Sequence, residues 1–256
     1  MTLNMQKKKN GSRGIEWTDA TWNPGSGCLH GCRWTMPDGT QAICYAESIA
    51  ERIAKNTYNE GFAHHYWKPE HLNSPKKVAA PLKIFVGSMW DIFGHWVPDE
   101  HVQAVLDVIQ ECPQHSFQLL TKNVIRAQRF DLPDNVWLGA SMPPDTMWSK
   151  PLSLAQKERM LDKTLRSLGE TMAQVKWISF EPLSWDVSAI VSRYPGVLDW
   201  AVIGAASNGP KLYPPSEKHF VWLQNVLNYQ GVKVFYKGNL QSLTTAAMNW
   251  REEFPV

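Results

Sequence analysis

From Pro81 onward, short apolar runs rich in β-branched residues alternate with amphipathic segments. The apolar runs predict buried strands, and the apolar residues at helical spacing between them predict helices. An earlier run, Ile15–Trp22, also alternates like a strand and is broken by Asn23-Pro24-Gly25. The predicted strands are Ile15–Trp22, Leu82–Ser88, Phe117–Lys122, Val136–Met142, Val175–Leu183, Asp199–Ser207 and Lys233–Lys237. The predicted helices are Ala42–Lys55, Asp99–Cys112, Val124–Arg129, Leu154–Leu168 and Ser216–Gln230.

Strands that alternate with helices predict a mainly parallel sheet, because each parallel crossover needs a connection of helical length. We therefore expect an α/β fold, a partial TIM-type (β/α) barrel in one domain over residues 15–256, after a flexible polar tail over residues 1–14. An open doubly wound sheet is the competing architecture. Polar groups at many strand ends favour the barrel, because barrel active sites gather there. These groups are Ser88, Asp91, Thr121, Lys122, Ser141, Glu181, Ser207 and Lys237.

Composition excludes few functions. The formal net charge of +2 is too small to indicate a nucleic-acid-binding protein by electrostatics alone. The one basic run, Lys7–Lys9 with Arg13, lies in the polar tail. The chain has neither a membrane-spanning apolar run nor a signal peptide, so we expect it in the cytoplasm of a bacterium or of a phage-infected host. Thiols stay reduced there, and four cysteines indicate metal binding or catalysis.

Three of those cysteines lie in one stretch, Thr21–Glu47. Cys28 and Cys32 lie in a glycine-rich loop, and Cys44 precedes a predicted helix. Three thiolates suit a soft metal or an iron–sulfur cluster, which would keep one iron open for chemistry. With His30 as a fourth ligand, the same loop could instead bind zinc as a structural clip. The fourth cysteine, Cys112, is expected to be an ordinary residue at a helix end.

The stretch TWNPGSGCLHGC…CYAE is similar to the signature of the radical S-adenosylmethionine (radical SAM) superfamily. More narrowly, the chain resembles a phage-associated radical-SAM-like family that is often labelled only as a domain of unknown function. The resemblance runs from Ile15 to Lys237 through FVGSMWDIF, FQLLTK, VWLGAS, ISFEPL, DWAVIGAAS and VFYK. It implies that Cys28, Cys32 and Cys44 hold a [4Fe–4S] cluster whose open iron binds S-adenosylmethionine. One electron then cleaves the sulfonium, and the resulting 5′-deoxyadenosyl radical takes a hydrogen atom from a substrate.

The cysteine spacing departs from the superfamily pattern C-x3-C-x2-C. Here residues 33–43, RWTMPDGTQAI, separate Cys32 from Cys44. Read as an insertion into the ordinary two-residue gap, this segment restores the pattern. Its Pro37-Asp38-Gly39 is a turn sequence, which predicts a hairpin that returns Cys44 to the site.

The resemblance places Tyr45 near the adenine of S-adenosylmethionine, and Gly87 and Ser88 near its methionine amino group. Strand-end position adds Asp91 and Ser141 as candidates for cofactor binding, although Asp91 could equally cap the following segment. Gly204 begins a loop of small residues that a ligand can approach closely. The loop lacks the G-x-G-x-x-G order, so no dinucleotide site is expected.

Lys122, Glu181 and Lys237 are the candidate catalytic residues. Lys122 is hard to explain as core packing, and Glu181 needs a charged partner at its strand end. Lys237 contacts either a substrate anion or only the solvent. A Lys122–Glu181 pair could equally be a structural bridge. The adjacent His64 and His65 are expected at the surface.

The resemblance implies a radical SAM enzyme with an electron donor such as a flavodoxin or ferredoxin. Its association with phages suggests a nucleotide, or a nucleic-acid base in phage DNA modification, as the substrate. The alternative is a zinc-clipped or cluster-bearing barrel that acts as a binding or accessory module without radical chemistry.

Overall fold

The computed structural model describes residues 3–6, 14–52, 56–208, 211–243 and 249–255. The basic residues Lys7–Lys9 and Arg13 lie outside these ranges. The strands are β1 Asn4–Met5, β2 Ala20–Trp22, β3 Gly25–Ser26, β4 Arg33–Thr35, β5 Gln41–Ile43, β6 Tyr66–Trp67, β7 Lys83–Val86, β8 Ser116–Thr121, β9 Val136–Ser141, β10 Thr146–Met147, β11 Lys150–Pro151, β12 Val175–Phe180, β13 Trp200–Ile203, β14 Ala206–Asn208, β15 Lys211–Tyr213 and β16 Lys233–Tyr236. The helices are α1 Tyr45–Arg52, α2 Asp99–Gln110, α3 Val124–Ala127, α4 Leu154–Gly169, α5 Ser188–Val191 and α6 Glu217–Tyr229, and short 3₁₀ turns cover Pro69–His71, Pro75–Lys77 and Gly238–Leu243.

The chain divides into two compact units. The first contains Met1–Gly31, Cys44–Gly139 and Thr171–Gln174, and the second contains Cys32–Ile43, Ala140–Glu170 and Val175–Val256. The boundaries therefore fall within the cysteine stretch, with Cys28 and Cys44 in the first unit and Cys32 in the second.

The first unit is built on the parallel strands β2, β7 and β8. Trp22 is in register with Val86, and Val86 with Leu119, so the three strands end at one edge. β1 joins β2 on the other side as an antiparallel strand. Helix α2 buries one apolar face, and the Trp22 and Phe117 rings pack within the core with centroids 5.8 Å apart. Burial of such side chains contributes about 1.5–3 kcal/mol each to folding.

The second unit contains the parallel strands β12, β13 and β16. Phe180 is in register with Ile203, and Ile203 with Tyr236, so these strands also end together. Helix α4 begins with a capping box between Ser153 and Gln156. The unit also contains an antiparallel sheet in the order β11-β10-β4-β5 and the hairpin β14–β15.

The predicted α/β class with a mainly parallel sheet is confirmed, and each predicted strand and helix has a counterpart. No closed barrel forms among the described strands. The first strand is shorter than predicted, because pairing with β7 begins only at Ala20. The first helix begins at Tyr45 rather than Ala42, because Ala42 and Ile43 pair with β4. Residues 53–55 of that predicted helix lie outside the described ranges.

The short strands β3, β6, β10, β11, β14 and β15 and helix α5 were not predicted. They carry two to four residues each, too few to show a period in the sequence. None of the helices in the described ranges is long and apolar enough to cross a membrane.

Candidate active site

The loop that follows the carboxyl end of β2 carries the first cysteine and is fixed by backbone hydrogen bonds. Gly27 donates its N–H to the carbonyl of Met89 at 3.0 Å, and Cys28 donates to Phe62 at 2.9 Å. Gly27 has a φ of 88°, and a Cβ there would lie 1.7 Å from the carbonyl oxygen of His64. Only glycine fits at this position, which ties the cysteine loop to two neighbouring segments.

Cys28 and Cys44, both half-buried, pack against one small apolar cluster of the first unit. Its buried members are Ala46, Ala50, Tyr58 and Phe62. The Cys44 carbonyl accepts the Ser48 N–H at 2.9 Å, so Cys44 lies at the amino end of α1. That end of a helix favours negative charge, and an iron-bound cysteine is a thiolate.

Cys32 is buried at the start of the second unit and leads directly into the predicted hairpin. Strands β4 and β5 pair antiparallel, with Arg33 opposite Ile43 and Thr35 opposite Gln41. Gly39 takes the positive φ, 80°, that the turn requires. The hairpin predicted within residues 33–43 is therefore confirmed. Because Arg33 pairs with Ile43, the chain enters and leaves the hairpin at the same end.

Three cysteine thiols in one stretch of sequence are a donor set that can hold an iron–sulfur cluster. All four cysteines are free of disulfides, so three thiols are available as ligands. Within the described ranges, no three His, Cys, Asp or Glu side chains are grouped as the ligands of one metal ion. The Nε2 atom of His30, the fourth ligand of the zinc clip, is directed to Asp91.

The turn after β7 lies beside the cysteine loop of the first unit. Gly87 has a φ of 83°, and Ser88 accepts a hydrogen bond from Asn23 Nδ2 at 2.9 Å. Asn23 Oδ1 accepts the N–H of Met89 at 3.0 Å. The Tyr45 hydroxyl donates to the Ser88 carbonyl. Tyr45, Gly87 and Ser88, which the resemblance assigns to the cofactor, therefore share one hydrogen-bonded turn.

Asp91 is a buried centre of hydrogen bonds. Its Oδ1 accepts from Thr121 Oγ1 at 2.7 Å and from the Phe93 N–H at 3.0 Å. Its Oδ2 accepts from the Lys122 N–H and faces His30 Nε2, both at 2.9 Å. Burial acts to raise the pKa of Asp91, but these hydrogen bonds outweigh it and the pKa is lowered. Asp91 thus holds the cysteine loop, through His30, to the end of β8.

The second unit brings two predicted catalytic residues together. Lys237 Nζ lies 3.3 Å from Glu181 Oε1, and the two side chains are 28% and 19% exposed. Gly204 lies between them, directly after β13, where a Cβ would be 3.1 Å from Lys237 Cδ and 3.2 Å from Glu181 Cγ. Glu181 therefore has Lys237 as a cationic partner.

The other predicted residues lie at strand ends. Lys122 follows β8, and its backbone N–H is bound by Asp91. Ser141 ends β9 and is half-buried. Ser207 lies in β14, while Gly209, at the end of the predicted small-residue loop, lies outside the described ranges.

Several residues of the site were not predicted from the sequence. Asn23 binds both Ser88 and Met89, and Asn239 exchanges two hydrogen bonds with the backbone of Ala205. The sequence offered little indication of a role for Asn23, because asparagine in Asn-Pro-Gly is also typical of an ordinary turn.

His65, which was expected at the surface, is half-buried. Its ring stacks on Trp90 at 5.5 Å, and its Nε2 lies 3.1 Å from His101 Nδ1. Burial, with the neighbouring histidines, lowers the pKa of His65 to about 4.

The fold and the site define an α/β protein with a cysteine loop after the first parallel strand of its sheet. The chain belongs to the family described as "Protein of unknown function (DUF5131)", whose model matches residues 12–249. None of the curated proteins matches this sequence.

Solved structures show a similar fold. Spore photoproduct lyase complexed with a dinucleoside spore photoproduct aligns with a TM-score of 0.59 at 9% identity, over 92% of this chain and 80% of the lyase. A mutant of that lyase aligns at 0.57 and 10% identity, over the same shares. A radical SAM methyltransferase from Sphaerobacter thermophilus aligns at only 0.45 and 12% identity, over 82% of this chain and 63% of the enzyme. The chain therefore has the fold of spore photoproduct lyase, at an identity that transfers no activity.

Proposed function

We propose that this chain is a radical SAM enzyme in which Cys28, Cys32 and Cys44 bind a [4Fe–4S] cluster and S-adenosylmethionine binds beside it. One observation carries the proposal. Gly27 of the cysteine loop is hydrogen-bonded to Met89, in the same turn whose Ser88 holds Tyr45. The cysteine loop and the turn that the resemblance assigns to S-adenosylmethionine are thus one connected structure. The shared fold with spore photoproduct lyase supports this reading.

When bound, the cluster would supply the electron that cleaves the sulfonium of S-adenosylmethionine, with the irons held by thiolate. The chain's own residues bind and orient S-adenosylmethionine and keep water out of the site. Asn23 fixes the turn at Gly87 and Ser88, where the methionine amino group would lie. Tyr45, half-exposed and held at Ser88, presents its ring for the adenine. Ser141 and Gly204 complete the proposed cofactor-binding set, and Asp91 acts on it by orienting His30.

Glu181 and Lys237 are proposed to act on the substrate. Both are partly exposed at the carboxyl ends of their strands, where ligands of parallel α/β sheets bind. A carboxylate and an ammonium held together can accept from a hydroxyl or imide and donate to a carbonyl or phosphate oxygen. Lys122 is proposed as a third substrate-facing group at the end of β8.

We propose a nucleotide or a nucleic-acid base as the substrate, as in phage DNA modification. The lyase that shares this fold has been solved with a dinucleoside photoproduct, which supports the chemical class. The net charge of +2 favours a small nucleotide over a long duplex, unless a local basic groove binds the phosphates. A flavodoxin or ferredoxin in the cytoplasm would supply electrons.

The test is anaerobic loading with iron and sulfide, followed by dithionite, S-adenosylmethionine and measurement of 5′-deoxyadenosine. The wild-type chain and a Cys112→Ala control should form it, because Cys112 is buried just beyond the end of α2 and is not part of the cysteine loop. Cys32→Ala should form none and should lose the visible absorbance of the cluster. Zinc in place of iron, or a cluster without 5′-deoxyadenosine, would overturn the radical assignment in favour of a binding or accessory module.

A further inference from the structure

The hairpin inserted between Cys32 and Cys44 is held at its base by Asp145. This carboxylate accepts the N–H of Thr35 at its Oδ2, at 2.9 Å. The Asp145 backbone N–H donates to the carbonyl of Arg33 at 3.1 Å. One residue thus binds strand β4 through both its side chain and its backbone.

Asp145 is itself fixed by a lysine of α4. Lys157 Nζ donates to Asp145 Oδ1 at 2.6 Å, and the two side chains are only 11% and 19% exposed. The Lys157 ammonium also lies 5.6 Å from the centre of the Trp185 ring. Lys157 is the better shielded of the two, so loss of Asp145 leaves a mostly buried ammonium without its carboxylate. The base of the hairpin is therefore anchored to α4.

A second carboxylate holds the tip of the hairpin. Asp38 accepts from Lys211 Nζ and from the Tyr213 hydroxyl, the latter at 2.9 Å. Hydrogen bonds from Lys211 and Thr40 lower the pKa of Asp38. The Asp38 and Lys211 side chains are 34% and 60% exposed, and exposed ion pairs are weak. The anchor at Asp145 is therefore the stronger of the two.

We propose that Asp145, held by Lys157, is a positioning residue for the cluster ligands Cys32 and Cys44. The inference rests on the proposed function. These cysteines flank the hairpin, and both strands leave it at the end where Arg33 pairs with Ile43. Because Cys32 precedes Arg33 and Cys44 follows Ile43, a hairpin fixed at this end also fixes the backbone from which both cysteine side chains start. The long insert can then still hold the two cluster ligands near each other. Loss of groups that orient metal ligands typically costs tenfold or more in affinity.

The test compares Asp145→Asn and Lys157→Met with wild-type chain. Lys157→Met keeps an unbranched side chain and removes the ammonium that donates to Asp145, so it serves if Asp145→Asn fails to fold. Asp162→Asn is the matched control, because Asp162 is also in α4 but forms its ion pairs with Arg166 and Arg193 rather than with hairpin residues. Two readouts are taken on the full chain: amide hydrogen exchange of residues 33–43 before loading, and iron retained against a chelator after loading.

We expect exchange of the hairpin amides to rise about tenfold in both variants. Iron retention should fall about tenfold in both, with Asp162→Asn like wild type. Unchanged exchange of the amides of residues 33–43 would show that Asp145 does not hold the hairpin. Faster exchange with full iron retention would show that it holds the hairpin but does not position the cluster ligands. A wild-type chain that binds no iron would overturn the proposed function instead, while the exchange measurement would still decide the anchor.

Discussion

His30 Nε2 lies 2.9 Å from Asp91 Oδ2, and both side chains are buried. His30 stands between Cys28 and Cys32 in sequence, whereas Asp91 follows β7 and binds the end of β8. The pair joins the cysteine loop to two parallel strands of the first unit. A histidine that could be taken for a zinc ligand is therefore part of the loop's support.

We expect Asp91→Asn to destabilise the chain by about 1–3 kcal/mol, because an amide nitrogen would replace an acceptor of buried donors. Urea unfolding at neutral pH measures the change, with the exposed Asp131→Asn as control. The pKa of Asp91 is lowered in the folded chain, so its contribution is present above the ordinary pKa of 3.8 and is lost as the pH falls through the lower folded value. The wild-type and variant stabilities should converge in acid. A constant difference down to the lowest pH would contradict this account.

Gly27→Ala should abolish cluster loading. The substituted Cβ would collide with the His64 carbonyl at 1.7 Å, so the backbone must move in addition to the strain at positive φ. Gly61→Ala is the matched control, since Gly61 has a similar φ of 84° but nothing within 4 Å of the added Cβ. Iron content after anaerobic loading separates the collision at Gly27 from the strain of a positive φ, which both variants share. Equal iron in both variants would show that the loop tolerates the displacement.

Asn23→Ala should weaken S-adenosylmethionine binding by roughly tenfold, because two hydrogen bonds that shape the turn are lost. Asn23→Asp keeps the acceptor for the Met89 N–H and loses only the donor to Ser88. Its affinity for S-adenosylmethionine should therefore lie between those of wild type and Asn23→Ala. Titration calorimetry on the loaded protein gives the dissociation constants. Wild-type affinity in Asn23→Ala would remove Ser88 and Gly87 from the cofactor site.

Gly204→Ala should lower product formation with little loss of stability. Its Cβ would press on both Lys237 and Glu181, and a misplacement of about 1 Å can cost up to a hundredfold in rate. Glu181→Gln should lower the rate of product formation as much as Gly204→Ala does. The unfolding temperatures of both variants should stay near that of wild type, because a partly exposed ion pair adds only about 0–1 kcal/mol to stability. The amount of 5′-deoxyadenosine and of substrate-derived product measures the effect. If unfolding temperature falls in proportion to rate, Glu181 and Lys237 are a structural bridge.

Much of this fold could be predicted because its strands are apolar and its longer helices amphipathic. The strand Val136–Ser141, an unbroken apolar run, and the helix from Asp99, with its apolar residues at helical spacing, illustrate this. Residues 33–43 were predicted as a hairpin because Pro37-Asp38-Gly39 has turn chemistry of its own.

The support of the site could not be predicted, because it depends on partners far apart in sequence. Asp91 meets His30 and Thr121, and Asp145 meets Thr35 and Lys157, only after the sheets form. The partner of Glu181 shows the same limit. Lys237 reaches Glu181 only because β12, β13 and β16 are neighbours in the sheet and end together.

The most direct measurement is electron paramagnetic resonance of the anaerobically loaded, reduced chain with and without S-adenosylmethionine. A reduced-cluster signal that changes when S-adenosylmethionine is added, and is absent from Cys32→Ala, is the predicted result, because the open iron would gain a ligand. A cluster signal that does not respond to S-adenosylmethionine, or a protein that holds no iron, would contradict the account.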